Sequence, residues 1–485
     1  MLTRRQFLAS ASLTSAAIAS SYPSLSHSSN NSEGPLATMH NDVIDKVKQL
    51  VGNQQIQLTL LYPKGCLANL KPITEVFSKE TGVTFSLKET GVDEINSTII
   101  FNSAKNEYLF DIALPATFGL PDLVSAGALA PLSNYVEQYE PSDYKTNQLY
   151  DYGDYINGTF YGYQTDGDTY LMFYNKTMMD SAANKEAFKQ QYGYDLAIPT
   201  TWEQLDDMIQ FFHQPEKNQY GGSLFRVPGY GAWEWWSRFH AKGYFPMDNK
   251  GDPQINNQAG IAALQAMLDV SAYLHPNTAS DNLFDNWNTF GQNQTFCNIG
   301  WGGSQKYFNS QQSKVKNNLY YASTPGGNIK GETISCPIFN WGWNYVVSTQ
   351  CPQKELAYLF TLYACSPAIS TLAVQQDGYF DPFREEHYAN EEIKTIYSPE
   401  FLDAHRNSMT NSIPDFYLQN QSAYLSSLQE NIYLAYKGSL SAKQALDITA
   451  TDWKLQTAKV GKDIQKKNWL ELRKKYPSTL RNRLI

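Results

Sequence analysis

Gly158 to Lys176 reads Gly-Thr-Phe-Tyr-Gly-Tyr-Gln-Thr-Asp-Gly-Asp-Thr-Tyr-Leu-Met-Phe-Tyr-Asn-Lys, and Pro199-Thr200-Thr201-Trp202-Glu203-Gln204-Leu205 follows about twenty residues later. Thr159 to Gln164 is aromatic and punctuated by turn residues, the pattern of a short strand and hairpin. Tyr170 to Tyr174 is an apolar run with no helix former at either edge, which predicts a buried strand. Asn175-Lys176 closes it with a turn. Between the two predicted strands stand Asp166 and Asp168, where a ligand-facing hinge would place them.

Upstream, Ile56 to Tyr62 alternates apolar and polar residues and ends in Pro63-Lys64-Gly65, a strand and a turn. Leu70 to Thr81 has helical spacing through Ile73, Val76 and Phe77, and Thr81-Gly82 stops it. Val83 to Leu87 and Phe110 to Pro115 read as further strands, with a helix from Asp93 to Asn102 between them. This alternation predicts an α/β layer with a largely parallel sheet. Downstream, Trp202 to Phe212 reads as an amphipathic helix capped by Thr200 or Thr201. Asn256 to Leu274 reads as a helix with one apolar face, Trp343 to Ser348 as a strand, and Leu356 to Cys365 as a helix. The C-terminal third is helical, with Ser441 capping one helix.

At 485 residues the chain exceeds one compact core. Aromatic residues are 14% of it, with 33 Tyr and 10 Trp, so most of the chain folds. The net charge of -9 argues against a nucleic-acid partner. Thr3-Arg4-Arg5-Gln6-Phe7-Leu8 precedes a small, apolar stretch from Ala9 to Ala19, which resembles a twin-arginine export signal over residues 1–20. The stretch is too short to span a membrane, and no Cys near its end offers a lipid anchor. A flexible leader is read over 21–49, Ser/Asn-rich from Ser21 to Pro35. These features predict an exported, soluble periplasmic protein.

The cysteines are Cys66, Cys297, Cys336, Cys351 and Cys365. Cys351 and Cys365 flank a predicted helix that would hold their sulfurs roughly 15–20 Å apart, beyond disulfide reach. Cys297 and Cys336 lie in strand-like runs, and whether they pair is left open. No C-x-x-C, nucleophile elbow, phosphate loop, dinucleotide-binding glycine turn or H-E-x-x-H motif occurs. The reading is therefore of a binding protein and not an enzyme, without catalytic residues, cofactor or metal ligands. Asp206 and Asp207 read as a solvated helix face.

Tryptophan clusters carry the binding argument. Tyr230-Gly231-Ala232-Trp233-Glu234-Trp235-Trp236, Trp301-Gly302-Gly303 and Trp341-Gly342-Trp343 set large rings beside glycines. Such rings suit the C–H faces of a sugar, while carboxylates and amides take its hydroxyls.

In order and spacing, the crossover segment, the Pro-Thr-Thr-Trp helix start, Phe77-Ser78-Lys79-Glu80-Thr81-Gly82-Val83, Gly127 to Leu132, Thr289 to Trp301 and Lys437 to Leu446 resemble the family-1 extracellular solute-binding proteins. These are the maltose-binding-protein type of receptor for ATP-driven importers. The resemblance runs from Ile56 to Trp453. It implies an α/β, two-lobe periplasmic-binding-protein fold of type II, each lobe a mainly parallel sheet flanked by helices, with the ligand cleft at the hinge. Lobe one would be 50–166 plus 336–390, and lobe two 167–335 plus 391–485. It implies a monomer that serves an inner-membrane ABC permease.

Carried onto this sequence, the crossover carboxylate is Asp168, eight residues before Lys176, and the stacking ring after the strand glycine is Trp301. Tyr230, Trp233 and Trp235 match an aromatic loop of lobe two, Thr117 and Phe118 the loop after the third strand, Lys64 the lysine after the first strand, and Tyr417 the last aromatic. Asp166, Trp341 and Trp343 complete the expected set. A carbohydrate or polyol is the expected ligand. The alternatives are a cationic amine such as a polyamine, with Asp166, Asp168 and Glu234 as counter-charges, or an exported hydrolase or redox partner on the same fold.

Overall fold

The computed structural model describes residues 35–485, so the twin-arginine stretch and the start of the leader lie outside the described residues. The stretch read as leader is not all flexible. Helix α1, Met39–Val51, begins within it and buries Met39, Val43, Ile44, Val47 and Val51 on one face. That spacing is a core-facing stripe, masked in sequence by the polar leader before it.

The chain then alternates through β1 (Gln57–Pro63), α2 (Leu67–Thr81), β2 (Thr84–Thr90), α3 (Ile95–Ala104), β3 (Ile112–Ala113) and β4 (Gly162–Gln164). Gly82, with φ 80°, ends α2 in the left-handed conformation that favours glycine. Next come β5 (Leu171–Asn175), α4 (Trp202–Phe211), β6 (Tyr220–Ser223), α5 (Gly231–His240), α6 (Gln258–Val270), β7 (Thr295–Gly300), α7 (Gly302–Phe308) and β8 (Leu319–Ser323). Thr201 caps α4 in a reciprocal capping box with Gln204. The chain continues through β9 (Asn344–Val347), α8 (Lys354–Ala364), α9 (Pro367–Val374), α10 (Glu391–Tyr397), α11 (Pro399–Thr410), α12 (Gln421–Tyr436) and α13 (Ala442–Val460). Among the described residues no single helix is long and apolar enough to cross a membrane.

Two separate sheets make the two lobes. The first runs β2-β1-β3-β9-β4 and the second β8-β5-β7-β6. Neither is as uniformly parallel as expected. In the first, β1 is parallel to β2 and β3, while β9 runs antiparallel to both its neighbours. In the second, only β6 and β7 are parallel; β5 is antiparallel to both β7 and β8. Parallel neighbours need a long crossover, usually a helix. Strands β5 and β9 are instead reached by extended segments from the other lobe, which frees their direction.

Residues 165–170 join β4 to β5, and 336–343 lead back into β9. The two segments lie together with residues 412–413. Tyr170 N donates to Ile338 O at 2.9 Å, Phe339 N to Ile413 O at 2.9 Å, and Thr169 Oγ1 lies 2.7 Å from Ser412 Oγ. The chain passes to the second lobe again between α9, which packs on α2, and α11, which packs on β8.

Asp206 departs from the solvated-face reading, because its carboxylate is 2.6 Å from the buried Arg238 guanidinium. Cys297 and Cys336 do not pair: all five thiols are free and buried.

Candidate functional site

Four aromatic rings meet where the lobes face each other. Phe118 follows β3 in the first lobe, Trp341 lies on the second crossover, and Tyr230 and Trp301 come from the second lobe. Tyr230 and Trp341 stack with centroids 4.9 Å apart and planes 5° from parallel. Phe118 meets Trp341 edge-on at 4.9 Å, and Trp301 meets it edge-on at 6.3 Å. Tyr230 also donates across the cleft to Asp93 Oδ1 at 3.3 Å.

The glycines beside these tryptophans have physical causes. A Cβ on Gly302 would lie 2.3 Å from the Asp381 carboxylate carbon, and one on Gly342 would lie 2.5 Å from the Phe339 ring. Trp341 itself has φ 72°, a left-handed conformation that is an outlier for a bulky residue. Backbone strain of this kind is held in place by its surroundings and gathers at ligand clamps.

Polar groups line the cage. Trp301 Nε1 donates to Asn340 O at 3.2 Å and lies 3.3 Å from Asn340 Oδ1. Asn340 Nδ2 and Tyr170 Oη are buried and meet no protein partner among the described residues. The Tyr170 ring lies 4.7 Å from Trp301. A buried donor left unpaired costs about 1–3 kcal/mol, so both atoms favour a ligand that pairs with them.

Beside the cage, Asp166, Asp168 and Asp381 each place one carboxylate oxygen within 4.8 Å of the others. The intervening Gly167 allows this, since a Cβ there would strike Pro382 O at 1.9 Å. Asp166 Oδ1 accepts from Asp381 N at 2.7 Å. Asp381 accepts from Tyr397 Oη at 2.5 Å and Gly303 N at 2.8 Å. Burial pushes all three carboxyls above the ordinary range; the charges of Asp166 and Asp381 raise Asp168 further, and that of Asp381 raises Asp166. A carboxyl that keeps its proton donates a hydrogen bond as well as accepting one. The same oxygen-only set has the chemistry of a site for a hard cation. The neighbouring cation is Lys306, whose pKa burial lowers against the opposing charges of Asp381 and Asp166.

The structure brings Asp166, Asp168, Tyr230, Trp301, Trp341 and Phe118 to this region. Thr117 and Tyr417 meet in an adjoining network: Thr117 Oγ1 donates to Asp415 Oδ2 at 3.0 Å, and Tyr150 Oη donates to Tyr417 Oη at 3.1 Å and accepts from Asp415 N at 3.2 Å. The remaining expected residues lie apart from the rings. Trp235 stacks on Phe239 inside helix packing, with Nε1 donating to Gly260 O at 3.1 Å. Trp233 is buried on the same helix with its Nε1 unpaired, and Trp343 is buried where its backbone bridges to Ala116. Lys64 is exposed beyond the end of β1. Glu234 is no free counter-charge. It binds Arg226 at 2.6 Å and Arg238 at 2.8 Å, which together lower its pKa despite burial.

Asn340, Tyr170, Asp381 and Lys306 were not identified from sequence. Asn340 had a signal, as the polar neighbour of Trp341-Gly342-Trp343. Tyr170 was legible only as a strand residue, and nothing local marks Asp381 or Lys306.

Residues 73–397 match the model of a family described as bacterial extracellular solute-binding proteins. No curated protein matches the chain in sequence. Among solved structures, an ABC transporter solute-binding protein of Agrobacterium radiobacter, in complex with ribitol, has a TM-score of 0.70 at 16% identity, covering 83% of this chain and 98% of its own. Maltose-bound MalE3 of T. maritima has a TM-score of 0.69 at 18% identity, covering 83% and 100%. The GacH receptor of Streptomyces glaucescens, studied with acarbose, has a TM-score of 0.67 at 16% identity, covering 87% and 100%. At these identities the likeness is one of fold.

Proposed function

The chain belongs to the bacterial extracellular solute-binding proteins, and on that premise we propose that it is the receptor of an ABC importer that captures a carbohydrate or polyol between two hinged lobes. The observation that carries this reading is the cage of Tyr230, Trp301, Trp341 and Phe118, contributed by both lobes and the crossover between them. A sugar ring entering between Tyr230 and Trp341 exchanges one ring–ring contact for two ring–ligand contacts. Asn340 Nδ2 and Tyr170 Oη pair with its hydroxyls, and Asp168 accepts from or donates to another. The ribitol and maltose bound by structural neighbours support this ligand class.

The finer reading goes with it. The lobes are 50–166 plus 336–390 and 167–335 plus 391–485, closing about the hinge on a monomer. The protein is exported by the twin-arginine route to the periplasm, without a lipid anchor, and presents both lobe surfaces to an inner-membrane permease. It binds without turnover.

The carboxyl cluster favours a second reading, a cationic amine held by aromatic faces and carboxylates. Calorimetric titration with ribitol, mannitol, tagatose, maltose and spermidine separates the two. Binding of a sugar or polyol is the expected result. Binding of spermidine alone would overturn the carbohydrate assignment.

A further inference from the structure

Helix α7 leaves the end of β7 in the second lobe, yet its lysine reaches the first. Lys306 Nζ lies 3.3 Å from Val374 O, 2.8 Å from Gln376 O, 2.7 Å from Gly378 O and 3.0 Å from Phe380 O. An ammonium has three donors, so four carbonyls leave it fully engaged. The segment that supplies them is fastened to the first lobe. Asn69 Nδ2, on α2, donates to Ala373 O at 2.8 Å, and Gly65, after β1, has no Cβ to meet the Tyr379 ring at 1.7 Å.

Around Lys306, further contacts join the same two bodies. Asp381 accepts from Gly303 N, at the start of α7, and from Tyr397 Oη, at the end of α10. Tyr379 lies against Phe284 and Trp287 of the second lobe, with centroids 5.8 and 6.0 Å away. None of these residues belongs to the aromatic cage.

We propose that α7 and the segment 374–381 form a cross-lobe clasp, pinned by Lys306, which holds the cleft shut without ligand. The proposal rests on the reading of two hinged lobes. It gives closure an energy source separate from the ligand, so ligand-free closure can be altered without changing any residue of the aromatic cage.

The test is small-angle scattering of the ligand-free protein, which needs no knowledge of the ligand. Lys306→Met keeps the stem and removes the ammonium. Losing the charge-assisted contacts, net of rehydration of the freed groups, shifts the open-to-closed ratio about tenfold or more. The expected result is a larger radius of gyration for Lys306→Met than for the wild type, with the exposed control Lys185→Met unchanged. Tyr397→Phe removes one contact to Asp381 with its ring retained. It carries the same measurement if circular dichroism shows that Lys306→Met does not fold. Scattering curves for folded Lys306→Met and Tyr397→Phe that superimpose on the wild type would overturn the clasp. A failed sugar titration would not touch it.

Discussion

Replacing Trp341 by alanine and by glycine separates what its ring does from what its backbone costs. The ring is 9% exposed and touches Tyr230, Phe118 and Trp301. Truncating a buried tryptophan costs about 3–5 kcal/mol. Both variants lose that amount, but they differ at the backbone. With φ 72°, alanine keeps a left-handed penalty of about 1–2 kcal/mol. Glycine is free of it and gives up about 0.4–1 kcal/mol through its looser unfolded chain. Trp341→Gly should therefore be the more stable of the two by roughly 0.8 kcal/mol, the difference of the mid-range values of those terms. Urea denaturation with linear extrapolation reads this as a displaced midpoint at unchanged slope. The ring's contribution to binding is lost alike in both, at least about tenfold in Kd if one stacking face is worth roughly 1.4 kcal/mol. Calorimetry with the best-bound sugar or polyol measures it. Alanine matching or exceeding glycine in stability would refute the strain argument, and wild-type affinity in both variants would remove Trp341 from the binding site.

Other consequences are directly measurable. Asp168→Asn should weaken sugar binding about tenfold, since an amide keeps part of the hydrogen bonding, whereas it should abolish binding of an amine; titrating both ligands against the variant decides. Burial raises the Asp415 carboxyl to about 7, so the native state holds a proton that the unfolded state releases at the ordinary carboxylate value. Stability from that proton is fully present near pH 4 and is lost as pH rises toward 7. Asp415→Asn should flatten the slope of stability against pH in that window by up to about 1.4 kcal/mol per pH unit; urea melts at unit pH intervals that show no flattening would contradict this. Glu234→Gln should destabilise by about 3–5 kcal/mol, because Arg226 and Arg238 are left buried without their shared carboxylate; an unchanged denaturation midpoint would show the network to be dispensable. All five thiols are buried and free, so a thiol reagent should count none in the native protein and five in denaturant, and a reductant should leave Tm unchanged.

The rings of the cage share one property legible in the sequence: each stands beside a glycine, Phe118 by Gly119, Tyr230 by Gly231, Trp301 by Gly302 and Trp341 by Gly342. Gly302 lets the Asp381 carboxylate approach, and Gly342 lets the Phe339 ring approach. At both places segments meet closely, and the neighbouring Trp301 and Trp341 stand in the cage. Trp233 and Trp235 carry the same ring chemistry without that close approach. They lie within α5, where helical periodicity points them into packing and only Tyr230, at the helix start, reaches the cleft. The fold was legible for a related reason. Strand, helix and turn patterns are local, and the two aspartates between β4 and β5 marked the crossover itself. Strand direction in the second sheet was not legible, because it depends on which lobe the chain arrives from. Asp381 and Lys306 were hidden by distance. Asp381 meets Asp166 across 215 residues of sequence, and Lys306 meets its carbonyls across 68 to 74. Each looks like an ordinary loop or helix charge until the lobes are set together. Two tasks separate within the cleft. On the proposed reading, rings flanked by glycine would hold the ligand, and charges without a local signature would hold the lobes. Changing Lys306 should therefore move the ligand-free shape at constant cage chemistry, whereas changing Trp341, whose ring bridges Tyr230 and Phe118, should move affinity.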